Sequence, residues 1–413
     1  MRIALINDFA DHGGAAIAAN NLRSGLTRIG HATARVSWYA PHTSSSPDSN
    51  SISLESPALH RIPRGVRALS ARLHHPFELW AWQKLTRTLK RLRPDIISLH
   101  NCSAGPWSWN LPTRLQAIAP VVWTLHDAWS FTGRCYYFRD CRRFQSQCDQ
   151  HCPTLGEFPR LAPGDVRRAH TSKRRNLEPS ASLIAVSPSQ WLRDVAISGG
   201  WDPTRIRNIP NSVAIPPRES LDRRAARSTW KLVPEAKVIS VMAADLSNRD
   251  KGGDILPDVL RQLAARPDFT VIVAGHRDEN LPRSDNMIHV GYLRQQTDIH
   301  RFFSAANVNL HLASQDNFPN TILEAAACGT PTIGFITTGV SEMLAAIPAS
   351  IGVPFGDVAS MVGELDRFFE IELPESQPAG VPATHTYTRD HHQRESQAHA
   401  YTEVFDELLA ARA

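Results

Sequence analysis

The sequence predicts an α/β protein with two successive doubly wound domains, each a parallel sheet covered by helices. Short apolar strands alternate with helical stretches through most of the chain, which is the pattern of such sheets. A Pro- and Arg-rich passage at residues 215–218 interrupts this alternation, and a second series of strands follows it. With 413 residues the chain is long enough to form two ordinary cores.

The apolar runs place the strands of each domain. Those of the first domain lie at residues 2–7, 32–38, 96–100, 121–126, 182–187 and 206–209. Those of the second domain lie at residues 238–243, 269–274, 287–290, 308–313 and 332–335. We therefore expect a first domain at residues 1–212 with a Cys-rich loop at 133–153, a second domain at 213–385, and a ligand-binding cleft between them.

The segment at residues 386–413 predicts a terminal helix. Its apolar residues recur at helical spacing and are Tyr401, Val404, Phe405, Leu408 and Leu409. One face of this helix is therefore apolar and needs a surface that buries it.

Charge and hydropathy exclude several classes of protein. The net charge of +5 is small and spread along the chain, and no nucleic-acid-binding motif is present. No run of apolar residues is long enough to predict a membrane span, and the first residues predict a strand rather than a secretion signal. We expect a cytoplasmic protein that binds no nucleic acid.

The stretch at residues 314–331 predicts a sugar-nucleotide site. It joins an apolar strand to an alanine-rich helix, with Asn320 as the predicted N-cap and Gly329 as the end. Amides at the start of this helix can bind a phosphate, and Glu324 can accept hydrogen bonds from a ribose diol. Asp316 lies in the preceding loop, where a donor sugar would lie. For Glu324 alone, a solvated glutamate on a capped surface helix is an equally compatible interpretation.

Three other positions support a ligand site. Gly13 and Gly14 follow the first strand and begin a helix, so a ligand can approach the backbone closely. His126 ends a strand at the sheet edge where α/β proteins bind ligands, and its imidazole can hydrogen-bond a sugar hydroxyl. Lys251 can offset the charge of a diphosphate. The alternatives are a histidine bound to local backbone and a solvated loop lysine.

Several motifs occur in the order in which a known family carries them. They stand at residues 13–16, 123–133, 185–189, 209–212, 250–252 and 317–325. On these motifs, residues 1 to about 344 resemble the family 4 retaining glycosyltransferases, which have the GT-B fold of two Rossmann-like domains. The resemblance is closest to the branch associated with colanic acid and other bacterial exopolysaccharides. In this fold a C-terminal helix returns to the first domain.

The resemblance implies transfer of a sugar from a nucleoside-diphosphate sugar to a glycan or lipid-linked acceptor, with the anomeric configuration retained. It assigns catalysis to His126, Asp316 and Lys251. It assigns donor binding to Gly13, Gly14, Arg249, Lys251, Asn317, Phe318, Pro319, Asn320, Thr321 and Glu324. No acidic-x-acidic metal motif accompanies these stretches, so we expect no cofactor in catalysis. Proton transfer to the leaving phosphate and a covalent intermediate are both compatible with these residues.

Two positions depart from the family. Asp316 stands where the family usually has the first of two glutamates, which shortens the reach to the sugar by about one methylene. Asp245 stands where many members carry a basic residue, six positions before Lys251, and Arg249 is a candidate substitute. These departures keep two alternatives open: a sugar-nucleotide epimerase of the same fold, and a catalytically silent sugar-nucleotide-binding protein.

The Cys-rich loop predicts a structural zinc site as one interpretation. Its four cysteines are Cys135, Cys141, Cys148 and Cys152. Cytosolic thiols stay reduced, which favours zinc over disulfides, although these intervals are wider than those of zinc ribbons. Packing cysteines and a redox-formed pair are the other interpretations. Four protein ligands leave no open position, so a zinc ion here would be structural.

The segment at residues 61–93 is basic and amphipathic, with a single acid, Glu78. Such a surface can rest on anionic lipid, where a lipid-linked acceptor is presented. The solvated faces of ordinary helices have the same composition, and Pro63 and Pro76 interrupt any single long helix. We expect peripheral contact with the cytoplasmic face of the inner membrane.

Overall fold

The computed structural model describes residues 1–39, 50–55, 74–156, 161–277, 279–371 and 382–412. The chain divides into two compact units, one formed by Met1–Asn211 with Arg394–Ala413 and the other by Ser212–Gln393. The first boundary lies within one residue of the one expected from the sequence. The terminal segment joins the first unit from residue 394 rather than 386, because the helix that precedes it stays with the second unit.

The first unit contains a seven-stranded parallel sheet. Its strands are β1 (Arg2–Asn7), β2 (Ala32–Ser37), β3 (Ser51–Ser53), β4 (Ile96–Leu99), β5 (Val121–Thr124), β6 (Leu183–Ser187) and β7 (Ile206–Asn208). Their order in the sheet is β3-β2-β1-β4-β5-β6-β7. The six strands expected from the sequence are present, and β3 is an additional edge strand.

Helices connect these strands as crossovers. They are α1 (Gly14–Arg28), α2 (His74–Leu92), α3 (Leu111–Leu115), α4 (Pro163–Arg174) and α5 (Gln190–Ser198). Gly13 caps the start of α1 with a φ of +84°, and Gly30 follows its end with a φ of +94°. Both positions use the left-handed backbone region that glycine adopts without strain, so the glycines set the bounds of this helix.

The second unit contains a six-stranded parallel sheet. Its strands are β8 (Lys237–Asp245), β9 (Phe269–His276), β10 (Met287–Gly291), β11 (Val308–His311), β12 (Thr332–Ile336) and β13 (Ile351–Pro354), in the order β10-β9-β8-β11-β12-β13. Its helices are α6 (Arg223–Thr229), α7 (Leu256–Ala264), α8 (Gln296–Ala305), α9 (Asn320–Ala327), α10 (Val340–Ala346), α11 (Val358–Ile371) and α12 (Ala383–His392). The prediction of two Rossmann-like α/β domains is confirmed.

Both faces of the first sheet are buried. Along β1, Ala4 and Ile6 belong to the core on one face, whereas Ile3 and Leu5 belong to the core on the other. This alternation follows from the two-residue period of a strand, and parallel sheets covered by helices on both faces need apolar residues at every position.

The last helix, α13 (Arg394–Ala410), completes the core of the first unit. Its apolar face, including Tyr401 and Phe405, packs with Leu22 and Leu26 of α1. The hydroxyl groups of Tyr401 and Thr124 lie 2.9 Å apart, which satisfies both polar groups inside this core. The predicted return of the C-terminal helix to the first domain is confirmed.

Each sheet reverses its strand order once. After β1 the chain adds β2 and β3 on one side and then places β4 on the other, and β8 to β11 repeat this arrangement. The loops that leave the carboxyl ends of β1 and β4 therefore diverge, as do those that leave β8 and β11. Such reversals are where open α/β sheets bind ligands.

No helix in the described ranges is long and apolar enough to cross a membrane. The first part of the basic segment, through residue 73, lies outside the described residues. In α2, the Lys84 ammonium donates to the Leu54 carbonyl oxygen at 2.9 Å and lies 4.0 Å from the Trp80 ring centroid. This cation is therefore engaged within its own unit, and peripheral membrane contact stays a prediction.

Gly25 is required where α1 meets α13. A Cβ at this position would lie 2.1 Å from the Arg394 carbonyl oxygen and 3.1 Å from the Ala398 Cβ. We expect Gly25→Ala to lower the stability of the first unit by about 1–3 kcal/mol, because the two helices must separate. Thermal unfolding measures this effect. Gly363→Ala is the matched control, since a Cβ at Gly363 in α11 meets nothing within 4 Å. An unchanged melting temperature of Gly25→Ala would contradict the close packing.

Candidate functional site

The loops that follow β8 and β11 meet at the carboxyl edge of the second sheet. The loop after β8 forms one short 3-10 turn, Arg249–Lys251, which Gly252 ends with a φ of +92°. A Cβ at Gly252 would lie 2.4 Å from the Leu312 carbonyl oxygen. The Gln315 N–H donates to the Asp250 carbonyl oxygen at 3.1 Å. Only glycine allows both this backbone conformation and the close approach of the two loops.

Lys251 and Asp316 form an ion pair across these loops. The Lys251 Nζ lies 2.6 Å from the Asp316 Oδ2, and the Asp316 side chain is only 13% exposed. The backbone of Asp316 is held independently, because its N–H donates to the Thr338 Oγ1 at 3.0 Å and its carbonyl oxygen accepts the Gly339 N–H at 3.2 Å. The structure thus brings together two residues that the sequence assigned to catalysis, and only the carboxylate of Asp316 is left to rotate.

His311 lies beside this pair, and the sequence analysis missed it. It is the last residue of β11, and its Nε2 lies 4.0 Å from the Asp316 Oδ2. Burial lowers the pKa of His311 to about 4, so its imidazole is neutral at pH 7. The signal in the sequence was a polar side chain at the carboxyl end of a strand, the same signal that identified His126.

Arg249 and Asp245 make other contacts. The Arg249 Nε pairs with the Asp254 Oδ2 at 2.8 Å, and both side chains are largely exposed. Asp245 accepts the Ser247 N–H at 2.9 Å and lies 3.4 Å from the Arg277 Nε. The structure therefore pairs Arg249 with Asp254. The basic residue beside Asp245, the position that departs from the family pattern, is Arg277. No sequence signal could have found Arg277, because only the pairing of β8 with β9 brings it there.

Helix α9 begins one residue before the position expected from the sequence. Pro319, with an extended backbone, is the N-cap, and Asn320 is the first helical residue, so the prediction of Asn320 as the cap was wrong. Proline favours this boundary because its φ is fixed near −65° and it has no N–H to satisfy. The first N–H groups of a helix have no acceptor within it, and here they belong to Asn320 and Thr321. The anion-binding role of this end of α9 stays a prediction.

Glu324 lies buried in the second turn of α9, 5% exposed. Within the described residues its carboxylate makes no hydrogen bond and no ion pair. Burial raises the pKa of Glu324 to about 8. A buried carboxyl group without a partner costs free energy, so this side chain fits a ligand that donates hydrogen bonds to it better than a structural role.

In the first unit, His126 pairs with a second histidine. The His126 Nε2 and the His100 Nδ1 lie 2.9 Å apart, and the two rings stack. Burial lowers the pKa of His126 to about 4 and the pKa of His100 well below its usual value, so both rings are neutral at pH 7. His100 follows β4, the neighbour of β5 in the sheet. The sequence predicts His100 at a strand end but gives no signal for its contact with His126.

Asp8 organises the other side of this sheet edge, and the sequence analysis did not assign it a role. Its carboxylate accepts the backbone N–H groups of Ser103, Ala104 and Gly105 at 2.7–3.1 Å and the Trp107 Nε1–H at 2.6 Å. Burial raises the pKa of Asp8 to about 6, and the four donors oppose that shift. The carboxylate therefore fixes the loop after β4 against the end of β1, the strand that precedes Gly13 and Gly14 in the chain.

The four cysteines of the Cys-rich loop line one small cavity, all as free thiols. A hydrogen bond between the Cys135 and Cys152 thiols raises the pKa of Cys135 and lowers that of Cys152 to about 5. Within the described ranges, no three His, Cys, Asp or Glu side chains form a group that could hold a metal ion. The zinc site therefore stays a prediction.

One acidic-x-acidic run, at residues 364–366, lies in α11, and a second, at residues 370–372, extends outside the described residues. In the first run, Glu364 pairs with Arg367 and Asp366 pairs with Arg266, each at 2.6 Å. Arginine side chains therefore occupy both carboxylates of this run. The expectation that catalysis needs no metal stays a prediction.

Two family models match the chain. Glycosyltransferase Family 4 matches residues 12–215, and Glycosyl transferases group 1 matches residues 237–370. Together with the two Rossmann-like sheets, these matches define the class of GT-B glycosyltransferases. Within that class, the chain belongs to glycosyltransferase family 4.

Individual relatives agree with this placement. The colanic acid biosynthesis glycosyl transferase WcaC of Escherichia coli is 30% identical over 242 residues, which cover 54% of this chain and 54% of that protein. The chain spans about half the length of the curated relatives it matches. The predicted proximity to the colanic acid branch is confirmed.

Solved structures show the same fold. Sucrose-phosphate synthase from Thermosynechococcus elongatus has a TM-score of 0.71 at 16% identity, and the match covers 99% of both chains. Anabaena HepE in complex with UDP has a TM-score of 0.68 at 14% identity, covering 98% of this chain and 100% of that one. The predicted GT-B fold is confirmed.

Glu324 makes the stability of the second unit depend on pH. Its pKa is raised from 4.5 to about 8, so between these values the folded state keeps a proton that the unfolded state has lost. Stability should therefore fall as pH rises through this window, by at most about 1.4 kcal/mol per pH unit. Glu324→Gln removes this loss, so we expect the variant to gain stability relative to wild type from pH 5 to pH 8 in thermal unfolding. Glu370→Gln, at an exposed position of α11, is the control, and parallel pH profiles of wild type and Glu324→Gln would contradict the prediction.

The zinc prediction has a direct test. Because no three of the described side chains form a group that could hold a metal ion, we expect protein purified without chelator to be metal-free, with four titratable thiols in the loop. Elemental analysis and thiol titration measure these two quantities. About one zinc ion per chain, reduced when Cys148 is replaced with Ser, would establish the zinc site instead.

Proposed function

We propose that the protein is a retaining hexosyltransferase, which moves a sugar from a nucleoside-diphosphate sugar to a glycan or lipid-linked acceptor in the synthesis of a bacterial surface polysaccharide. One observation carries this proposal. A family 4 chain has the Lys251–Asp316 ion pair in the loops beside α9, and α9 buries the Glu324 side chain, which has no hydrogen-bond partner among the described residues.

Glu324 would bind the ribose of the donor. The two hydroxyl groups of a ribose can each donate a hydrogen bond to one carboxylate oxygen, which satisfies a group that has no partner among the described residues. These bonds favour the ionised carboxylate and therefore lower its pKa, which burial has raised to about 8. Binding near neutral pH should then release a proton.

Lys251 and the first amides of α9 would bind the diphosphate. The lysine ammonium is a point charge in a partly buried loop, and the helix start adds N–H donors and the positive end of the dipole. Both would offset the negative charge that develops on the leaving diphosphate during transfer. In this role they supply the positive charge that a divalent cation supplies in metal-dependent glycosyltransferases.

Asp316 and His126 would contact the transferred sugar. When the diphosphate recruits Lys251, the Asp316 carboxylate becomes available to accept hydrogen bonds from sugar hydroxyl groups. His126 is neutral at pH 7, so its imidazole can hydrogen-bond a hydroxyl group without adding charge near the anomeric carbon. Gly13 and Gly14 would let the donor approach the start of α1.

The relatives support the substrate class. HepE of Anabaena was solved with UDP and with UDP-glucose, which favours a nucleoside-diphosphate sugar as the donor here. The name of the Escherichia coli relative favours an exopolysaccharide product. A lipid-linked acceptor would bring the protein to the cytoplasmic face of the membrane.

A panel of nucleoside-diphosphate sugars tests the proposal. We expect at least one of them to raise the melting temperature, because a selective ligand stabilises the native state by mass action. The same donor should be transferred to a glycan or lipid-linked acceptor with its anomeric configuration retained. Isomerisation of the donor without acceptor would establish an epimerase instead, and binding without turnover would establish a silent binding protein.

Two variants separate the proposed roles. Lys251→Gln should lower kcat by about 10²–10³-fold, because the leaving diphosphate loses a charge that matters most in the transition state. Glu324→Gln should mainly weaken nucleotide binding, measured by calorimetry, and should abolish the proton release. Arg301→Gln, on an exposed position of α8, is the control and should match wild type. Full activity of Lys251→Gln would refute its role at the diphosphate.

A further inference from the structure

His311 is a buried polar residue that the proposed function does not use. It ends β11, and its side chain is only 8% exposed. Its Nε2 is buried and has no hydrogen-bond partner among the described residues. A buried ring nitrogen without a hydrogen-bond partner costs about 1–3 kcal/mol whether it is the donor or the acceptor of the neutral ring, so such a group in a folded protein calls for an explanation.

The Asp316 carboxylate is an acceptor close to this nitrogen. The 4.0 Å between the His311 Nε2 and the Asp316 Oδ2 is too long for a hydrogen bond, which needs about 3 Å. The same Oδ2 lies 2.6 Å from the Lys251 Nζ. A carboxylate oxygen displaced by about 1 Å towards the imidazole would close the gap, and the bonds to Thr338 hold only the backbone of Asp316.

The Lys251 ammonium cannot pair equally strongly with the Asp316 carboxylate and with a diphosphate. A diphosphate carries more negative charge than one carboxylate and would draw the ammonium towards itself. Among the described residues, Asp316 has no other cation within 4.0 Å than Lys251 and, if protonated, His311. If Asp316 had no second partner, donor binding would leave its largely buried carboxylate without a compensating charge or hydrogen bond. That carboxylate must at the same time be aligned with the sugar.

We propose that His311 is a positioning residue, whose imidazole donates a hydrogen bond to the Asp316 carboxylate when Lys251 moves to the donor diphosphate. The His311 imidazole is held at the end of a strand, so its position is fixed. The Lys251 ammonium ends a long side chain in a loop, so its position is less fixed. The hydrogen bond would hold the shorter Asp316 side chain in the direction needed by the sugar. This inference rests on the proposed function for its kinetic consequence, but its physical core concerns only three residues of the second unit.

The exchange changes the charges that His311 experiences. Burial lowers the pKa of His311 most, Asp316 in the loop after β11 raises it, and Lys251 in the loop after β8 lowers it. On the β12 side its backbone neighbour is the uncharged Gly334. Removal of the ammonium leaves the carboxylate acting alone, so protonation of the imidazole becomes easier.

The first experiment needs no substrate. The His311 ring is observed by NMR in wild type and in Lys251→Gln between pH 4 and pH 8, with the His311→Gln spectrum as the assignment. We expect its pKa to be higher in Lys251→Gln by at least about one unit, because the like charge is gone and Asp316 is released to the imidazole. An unchanged His311 pKa in Lys251→Gln overturns the inference, whether or not the protein proves to be a transferase.

The second experiment uses the donor found in the panel. His311→Leu removes the hydrogen-bond donor and should lower kcat at least about tenfold, while KM for the donor changes less than about threefold. His311→Gln restores a neutral N–H near the place of Nε2 and should recover most of the activity. Equal loss in both variants, or full activity in His311→Leu, overturns the proposal.

The two experiments separate the inference from the proposed function. If no nucleoside-diphosphate sugar binds the wild-type protein, the proposed function fails, and the titration of Lys251→Gln still decides whether His311 and Lys251 compete for Asp316. If His311→Leu does not fold, His311→Gln and the titration still give a result. If donor turnover is normal and the titration shows no change, only the inference fails.

Discussion

Both candidate sites depend on one constraint: parallel strands can be joined only by crossovers, so all their carboxyl ends lie on the same edge of the sheet. In each unit the strand order reverses once, between β1 and β4 and between β8 and β11. The loops at these reversals diverge and leave room for a ligand. Within each unit taken by itself, the candidate residues lie at this edge because of the topology, as Asp8 does in the first unit and Asp316 in the second.

The second constraint is electrostatic. The site in the second unit concentrates ionisable groups in a partly buried place, and two of them lack a hydrogen-bond partner among the described residues. Burial alone acts on the pKa of Glu324, and the His311 Nε2 lies 4.0 Å from the Asp316 carboxylate, which is itself paired with Lys251. Groups left in this state are typical of functional sites, because a ligand can supply the missing interactions at the moment of binding.

The regular elements could be predicted from the sequence because the central strands are continuous apolar runs. The two strands that were missed lie at sheet edges, where polar or irregular sequences are tolerated: β3 reads Ser-Ile-Ser, and β13 contains a glycine and a proline.

The site residues found from the sequence, such as Lys251 and Glu324, lie in local motifs. Those that were missed, His100 and His311, act through a neighbour in another loop. Such contacts depend on strand order and side-chain rotamers, which a single sequence does not reveal.

Helix α13 has a consequence for synthesis. The first unit is built from two parts of the chain that are separated by the whole second unit, and the later part supplies Tyr401, Phe405 and Leu408 to its core. A ribosome produces residues 212–393 before it produces that helix. Until then α1 covers only part of this face of the first sheet, and the apolar surface left for α13 stays exposed while the second unit is made. A chaperone that shields apolar surface can bind there during this period.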